Sequence, residues 1–312
     1  MSGIFPGAND VESFWNILLE ENETISEANE EQFNGPPEYF KSDKKGVLDK
    51  CYSTWGGYIE EPDYLANPIF KKKPALTELD QIYKWSLFVA SEALKNAGYL
   101  QDKELLRRCG LLLGSLTMPT RETANRMSRM YARHFELIIK ELTGNTIEWP
   151  LTNFQQKEKM DVRDYPKSTA SLIAEELQLG GEHFCMDAAC ASVHYAIRFA
   201  SDMLIRREAD MMLAGAVSCA DPLFVHEGFS IFTAYPEPGK SQAPLDKKSG
   251  GMVSAEGAGI FVLKRLDDAL RDGDTVHAVI NSVGLSNDGK GKYLLSPLSA
   301  GQLRAFERAF DA

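Results

Sequence analysis

Cys190 is the residue of this sequence best placed for nucleophilic chemistry. It lies in residues 187–192 (DAACAS), where small residues separate a short apolar segment from an amphipathic helix. The pattern predicts that the cysteine lies in the first turn of that helix, where unpaired amide hydrogens and the positive end of the helix dipole favour a thiolate. A buried structural cysteine is the alternative, because free cysteines are among the most buried residues of proteins. The helix is predicted from apolar residues at helical spacing, namely Val193, Ala196, Ile197, Ala200, Met203 and Leu204.

Three blocks of sequence match a known family in order and spacing. They are residues 187–192, residues 209–217 (ADMMLAGAV) and residues 244–264, which contain PLD and SAEGAG. These blocks resemble the active-site half of the β-ketoacyl synthases, the condensing enzymes of fatty-acid and polyketide synthesis. Residues 3–8 (GIFPGA) look like the loop after the family's first strand. The motif DAACAS, with Tyr235-Pro236-Glu237 downstream, is most similar to the ketosynthases of polyunsaturated-fatty-acid and polyketide synthases.

The resemblance implies a reaction and a set of site residues. An acyl group would pass from a carrier-protein thioester to Cys190 and would then be joined to a carbanion formed by decarboxylating a malonyl group. The backbone N–H of Cys190 would contribute to the oxyanion hole. Phe229 matches an aromatic position of the family's acyl pocket, with core packing as the alternative. The residues themselves indicate two supporting roles. Asp187 is placed to cap the helix that carries Cys190, and Glu256, between glycine-flanked turns, is expected to bond backbone amides or orient the site, with catalysis as the alternative. No cofactor is bound directly, since the phosphopantetheine belongs to the acyl carrier protein.

The histidines of the family's Cys–His–His set are not found in this sequence. Its five histidines, at positions 134, 183, 194, 226 and 277, lie in neither a Gly-Thr-Gly-Thr nor an Asn-Ile-Gly motif. His194 is four residues after Cys190, but a neighbour at that spacing points along the helix flank rather than at the sulfur. The chain also begins with Met1-Ser2 where the family has an apolar first strand. We therefore expect a fragment cut at both ends, without its first strand, that becomes acylated but does not condense.

Composition limits the class of partner. The chain has 312 residues and a formal net charge of −11, which argues against nucleic acid, for which a basic face is expected. The acyl carrier protein implied by the resemblance is itself acidic, so its docking requires a local basic patch, with ordinary solvated charge as the alternative for each cluster. A homodimer is also expected. The candidate basic clusters are Lys71-Lys72-Lys73, Arg107-Arg108 and the row Arg121, Arg126, Arg129 and Arg133.

The cysteines and the apolar stretches indicate the compartment. The five cysteines form no close pair and no metal-like repeat, so no metal site is expected. An odd number of cysteines without a secretory signal is typical of a reducing cytosol. Asp10 and Glu12 lie where a signal peptide would need its apolar core, and no apolar run approaches the ~18 residues of a membrane span. We expect a cytoplasmic protein without membrane contact.

Apolar runs alternate with helical patterns along the chain. Such alternation indicates an α/β fold with a largely buried sheet. The resemblance sharpens this to the thiolase-like layered fold, with the N-terminal half complete or nearly so in residues 1–285 and the C-terminal half largely missing in residues 286–312. Strands are expected at 110–114, 182–186, 211–217, 260–263 and 276–285, and helices at 11–19, 77–97, 121–142, 168–177 and 296–312.

Two other functional classes remain open. The first is a non-catalytic dimer scaffold or chain-length factor of the same fold. Such proteins usually lack the cysteine, so its presence favours an enzyme. The second is a cysteine hydrolase, which would need a histidine base and an orienting Asn or Asp near Cys190, and the sequence supplies neither at a familiar spacing. The prediction is therefore an acyltransferase of the 3-oxoacyl-(acyl carrier protein) synthase type.

Overall fold

The strands of the described residues form one five-stranded sheet and one two-stranded pair. The computed structural model describes residues 1–146, 167–237, 243, 245–291, 293 and 296–311. In chain order the strands are β1 (Ser2–Ile4), β2 (Ser26–Glu27), β3 (Trp55–Gly56), β4 (Cys109–Ser115), β5 (His183–Met186), β6 (Met211–Ser218) and β7 (Gly257–Leu263). The larger sheet has the order β1-β7-β6-β4-β5, and β2 pairs with β3.

Helices cover both faces of the larger sheet. Many begin at a side chain that accepts a backbone amide hydrogen, as do those that follow Asp80 and Ser168. No helix in the described ranges is long and apolar enough to cross a membrane. The helices are α1 (Val11–Leu19), α2 (Glu30–Phe33), α3 (Pro68–Lys72), α4 (Gln81–Asn96), α5 (Lys103–Leu106), α6 (Arg121–Thr143), α7 (Thr169–Leu177), α8 (Ser192–Ile205), α9 (Pro222–Ile231), α10 (Leu266–Asp272) and α11 (Ser299–Phe310).

The central strands are buried on both faces, so their side chains alternate between two apolar layers. Leu111 and Leu113 of β4 pack with Leu213 of β6 in the layer that α4 and α7 cover. Leu112 and Met212 point the other way and pack against α8. Successive side chains of a strand face opposite sides of a sheet, so a strand covered on both sides reads as a continuous apolar run.

Strand direction brings the ends of the five strands of this sheet to one edge. β4 is parallel to both β5 and β6, so their carboxyl ends lie side by side. β7 is antiparallel to β6 and pairs Gly257 with Ser218, so β7 starts at the edge where β6 ends. β1 is antiparallel to β7 and pairs Ile4 with Ala258, which adds the end of β1. The loops that leave this edge are therefore the ones that can form a site.

A short strand lies at the start of the described residues: β1 pairs with β7 through its backbone, and Ile4 is its one large buried side chain. The expectation that the family's first strand is missing stays a prediction. One predicted strand is not observed. The apolar run 276–285 forms no strand, because a strand needs a partner and this run pairs with no strand of the described ranges. Val279 and Ile280 in that run are exposed. The helix expected within 296–312 is α11, while the division of the chain at residue 285 stays a prediction.

The register of β6 against β7 depends on Gly215. A Cβ atom at this position would lie 2.0 Å from the carbonyl oxygen of Gly259, a backbone atom that cannot move aside. We expect Gly215→Ala to lower the free energy of unfolding by about 3 kcal/mol. Gly228→Ala in α9 is the matched control, because its Cβ would meet no atom within 4 Å, and it should raise stability by about 0.5–1 kcal/mol. Urea unfolding of both variants measures the difference, and equal stabilities would contradict it.

Candidate active site

Cys190 lies in a tight turn between β5 and α8. The strand ends at Met186 and the helix begins at Ser192, with Ala191 as its N-terminal cap residue. The prediction that the cysteine lies within the first helical turn is therefore wrong, since Cys190 precedes the helix. The reason is Ala189, which adopts the left-handed conformation with φ +50° and reverses the chain before the helix can start. This conformation costs an alanine about 1–2 kcal/mol, so surrounding contacts must hold it.

Asp187 holds this turn from the strand side. Its Oδ1 accepts the amide hydrogen of Ala189 at 2.9 Å, and its Oδ2 accepts that of Thr117, just after β4, at 2.7 Å. These two amides, Ala189 first, lower the pKa of Asp187. The predicted role as the cap of α8 is wrong, because Ala191 occupies the cap position and the carboxylate is engaged in the turn. Asp187 instead ties the cysteine turn to the loop after the neighbouring strand.

An apolar cavity of about 850 Å³ lies at the edge where the strands end. Cys190, Phe229 and Glu256 all line it, so residues that are distant in sequence meet at one cavity. His194 also lines it, but within the described part of the chain no hydrogen bond joins His194 to Cys190. A cavity of this volume is in the range of small-molecule sites. The apolar part of the wall includes Phe5, Phe14, Val193, Ile197, Val225 and Phe261.

Phe229 reaches the cavity from α9. This helix is capped by Asp221, whose Oδ1 accepts the amide hydrogen of Phe224 at 2.9 Å. The Phe229 ring packs edge-on against Tyr235, with 6.1 Å between the ring centroids. Tyr235 is itself fully buried, so one side of Phe229 faces the core while the other lines the cavity. A role for Phe229 in holding an acyl chain stays a prediction.

Glu256 is a largely buried carboxyl group in the cavity wall, immediately before β7. Its Oε2 accepts the amide hydrogen of Ile59 at 3.0 Å, and its own amide donates to the carbonyl oxygen of Gly57 at 2.8 Å. Burial raises the pKa of Glu256 to about 7, against the opposing effects of the Ile59 amide and the Arg121 guanidinium. The bond to a backbone amide is of the kind expected from the sequence, while an orienting role stays a prediction.

The other cysteines differ from Cys190 in burial. Cys51, Cys109 and Cys219 are buried and Cys185 is half-buried, whereas Cys190 is exposed. Burial raises the pKa of Cys51 to about 11 and that of Cys109 to about 12, and it raises those of Cys185 and Cys219 as well. The thiolate is the reactive form of a cysteine, and burial disfavours it at the other four positions. The exposed Cys190 is therefore the cysteine best placed to react near neutral pH. In the described residues no group of three or more side chains could hold a metal ion.

Two features of the site have little or no signal in the sequence. The Ser192 hydroxyl is buried beneath the cysteine turn, but in sequence it is one more small residue after Cys190. Tyr58 and His226 form a pair in the cavity wall, with 2.9 Å between the Tyr58 hydroxyl and Nε2 of His226. Burial lowers the pKa of His226 to about 4, so its ring is neutral at neutral pH. The pair joins residues far apart in the chain, and no local pattern predicts it.

The predicted basic clusters are partly neutralised by acidic neighbours. Arg133 is exposed on α6, and the side chain of Arg129 lies outside the described residues. The remaining arginines of that row, and one residue of each other cluster, face carboxylates. These pairs are Lys73–Glu176 at 2.7 Å, Arg108–Asp210, Arg121–Glu31 at 3.9 Å and Arg126–Glu122 at 2.9 Å.

Comparison with known families identifies the class of protein to which this fold and site belong. The model of the β-ketoacyl synthase N-terminal domain matches residues 1–269. The chain therefore belongs to the β-ketoacyl synthase family, and the resemblance found in the sequence is confirmed.

Its relatives are large synthases. The chain is 31% identical to one component of the polyunsaturated fatty acid synthase of Thraustochytrium sp., over 92% of its own length and 13% of that protein's. It is 29% identical to another component of the synthase from the same organism, over 100% of its own length and 11% of that protein's. With polyketide synthase ThaG of Burkholderia thailandensis it shares 27% identity, over 99% of its own length and 5% of that protein's. The chain thus spans a small part of each of these proteins.

Solved structures confirm the predicted thiolase-like α/β fold. The PfaC keto synthase–chain length factor superposes with a TM-score of 0.84 at 37% identity, over 99% of this chain and 33% of that one. The ketosynthase from module 6 of the bacillaene synthase of Bacillus subtilis 168, as a cysteine-to-serine mutant, superposes with a TM-score of 0.74 at 25% identity, over 99% of this chain and 47% of that one.

The raised pKa of Glu256 predicts a pH-dependent loss of stability. Its folded-state value of about 7 lies above the ordinary value of 4.5, so the folded protein binds the extra proton and becomes less stable as the pH rises between these values. Glu256→Gln removes this titration. We therefore expect the free energy of unfolding of this variant, relative to that of wild type, to be about 2 kcal/mol higher at pH 8 than at pH 5. Chemical unfolding at both pH values measures the gain, with Glu23→Gln in an exposed loop as the control. A difference that does not vary with pH would contradict the assignment.

Proposed function

We propose that Cys190 is the acyl acceptor of a ketosynthase and that this chain is an acyltransferase. The observation that supports the proposal is the position of the thiol: it is exposed in a strand–turn–helix connection and lines a large apolar cavity. The four other thiols are partly or fully buried, with raised pKa values. An apolar cavity suits a hydrocarbon chain, and a thiol at its wall suits transfer from a thioester.

In the proposed reaction, the thiol of Cys190 attacks the carbonyl carbon of an acyl thioester. A bond forms between Sγ and that carbon, the bond from the carbon to the carrier's sulfur breaks, and the carrier's thiol takes up the proton that Cys190 releases. Negative charge develops on the carbonyl oxygen before the second bond breaks, and the amide of Cys190 is suited to bind it. The thioester is the end of a phosphopantetheine arm, which arrives as part of the substrate.

The condensation step belongs to the proposal for the whole protein. There the acyl group on Cys190 would be joined to a carbanion formed by decarboxylating a malonyl thioester. None of the five histidines of the present sequence lies in the motifs that the family uses for this step. For the present chain we therefore propose acylation of Cys190 as the activity to be measured.

We propose an acyl carrier protein as the partner that delivers the acyl group. Support comes from α6, which begins after Thr120, close to Met118 in the cavity wall, and which presents the exposed Arg133. An acidic partner that docks along this helix would bring its thioester to the rim of the cavity.

A cytoplasmic location fits the five free cysteines, since a reducing compartment keeps thiols unpaired.

A homodimer is the proposed assembly, with β5 as its contact. This strand is the last in the sheet and pairs only with β4 within the described ranges, so its outer backbone groups can pair with a second copy. Phe184 on β5 is 42% exposed, so a large apolar side chain on this strand is available for contact with a partner. An edge strand of this kind is a template for pairing with another chain.

Cys190→Ala should abolish acylation by an acyl thioester. The fold should be kept, with the free energy of unfolding changed by less than about 0.5 kcal/mol, because the side chain is exposed. Intact-mass and peptide mass spectrometry after incubation with the thioester measure the reaction. Cys185→Ala is the control, because it removes a half-buried thiol from the adjacent strand, and it should be acylated as fast as wild type.

The same experiment separates the enzyme from the non-catalytic alternative. A chain-length factor or scaffold would show no acylation of Cys190 beyond that of the buried thiols. The proposal would be refuted if the acyl group were found on another cysteine, or if the Cys190→Ala variant were acylated at the wild-type rate.

Phe184→Lys should weaken the proposed dimer by about tenfold or more, since a charged residue on an edge strand discourages pairing. Sedimentation equilibrium over a range of concentrations measures the dissociation constant. Phe310→Lys is the matched control, because Phe310 is 85% exposed on α11 rather than on β5, and its replacement should leave the dimer intact. A dissociation constant unchanged in the Phe184 variant would place the contact elsewhere.

A further inference from the structure

The hydrogen bonds around Cys190 satisfy the neighbouring amides but not its own. Ala188 donates to Oγ of Ser192 and Ala189 donates to Oδ1 of Asp187, each at 2.9 Å. The two residues after the cysteine donate to the carbonyl oxygens of the two alanines before it, at 3.2 and 3.1 Å. For the amide of Cys190, the residues that the structure describes supply no acceptor. Since backbone amides rarely lack a partner, this donor is available to a ligand.

One hydroxyl group makes two of the bonds that hold the turn. Oγ of Ser192 accepts from the amide of Ala188 at 2.9 Å and donates to the carbonyl oxygen of Ala189 at 2.6 Å. It therefore brackets the left-handed Ala189, and only a group that both donates and accepts can do this. Ser192 is 5% exposed and lies over Gly114 of β4, where an added Cβ would come within 2.8 Å of the serine Cβ. Close packing against the sheet thus fixes the hydroxyl in place.

We propose that Ser192 is a positioning residue for acylation of Cys190. By holding Ala189 in the left-handed conformation, Ser192 keeps the cysteine amide free at the cavity wall, where it receives the thioester oxygen as negative charge develops. In this proposal Ser192, which also lines the cavity, acts through the geometry of the turn that carries Cys190. This inference rests on the proposed function of Cys190 as the acyl acceptor.

The test compares two reactions at the same sulfur in the Ser192→Ala variant. Acylation by an acyl N-acetylcysteamine thioester develops a negative oxygen, whereas alkylation by iodoacetamide does not. We expect the variant to acylate Cys190 about tenfold more slowly or worse, because removing an oxyanion donor costs ~10²–10³ in rate and displacing one costs part of that. Alkylation should change by less than about threefold, since it does not use the amide. Mass spectrometry of the native protein over time gives both rates.

Ser201→Ala is the matched control. The Ser201 hydroxyl also donates to a backbone carbonyl of α8, that of Ile197 at 2.8 Å, but it lies further along the helix. This variant should keep both rates. Unchanged acylation in the Ser192→Ala variant would overturn the proposal, and so would equal losses in the two reactions, which would indicate a general disturbance of the turn.

Two further outcomes of the experiment have distinct meanings. If the Ser192→Ala variant does not fold, Ser192→Thr decides, because it keeps the hydroxyl. A wild-type ratio of acylation to alkylation then supports the proposal, and a lower ratio overturns it. If the wild-type chain is alkylated but never acylated at Cys190, the proposed function itself is refuted, which is a different result from a variant that matches an active wild type.

Discussion

The parallel pairing of β4 with β5 and β6 is the constraint on which the site depends. It sets the carboxyl ends of these strands side by side, so the loops that follow them share one edge. β7 reverses direction, and Glu256 reaches the same edge from the start of its strand. The close approach of backbones at Gly215 and Gly259 keeps β6 and β7 in that register. Cys190 and Glu256 therefore lie at one cavity because of backbone pairing rather than because of local sequence.

Sequence patterns predict the strongly apolar strands well, because burial on both faces marks a strand whatever its partners are. β4, β5 and β6 lie within one residue of their predicted bounds at each end. β1 has almost no apolar signal, since only Ile4 is large, and it exists because β7 offers an edge. The run 276–285 has the signal without the strand, because no described strand pairs with it. The pattern of apolar residues indicates which segments are suited to burial, while a strand also needs a neighbouring strand to pair with its backbone.

Some residues of the candidate site can likewise be predicted from the sequence, and others cannot. The place of Cys190 can be predicted because its motif is local, that of Phe229 because the family resemblance indicates it, and that of Glu256 because glycine-flanked turns surround it. The first residue of α8 and the hydrogen bonds of Asp187 cannot be predicted, since both depend on Ala189 at φ +50°. An alanine rarely adopts this conformation, and its sequence context does not indicate it. Ser192 is missed for the same reason, because its hydroxyl matters only once the chain has reversed. A backbone conformation that opposes the local preference of its residue cannot be predicted from sequence patterns.

The contrast in burial between Cys190 and the other cysteines also bears on oxidation. Peroxide converts exposed thiolates first to sulfenic acid and then to sulfinic and sulfonic acids, which ordinary thiols do not reduce. Cys51, Cys109 and Cys219 are buried and Cys185 is half-buried, so Cys190 is the cysteine that an oxidant reaches first. A molecule oxidised there would lose its proposed acyl acceptor, and mass spectrometry would find added oxygen on the peptide that carries Cys190. Preparations that look intact by size and secondary structure can therefore differ in how many molecules are able to react.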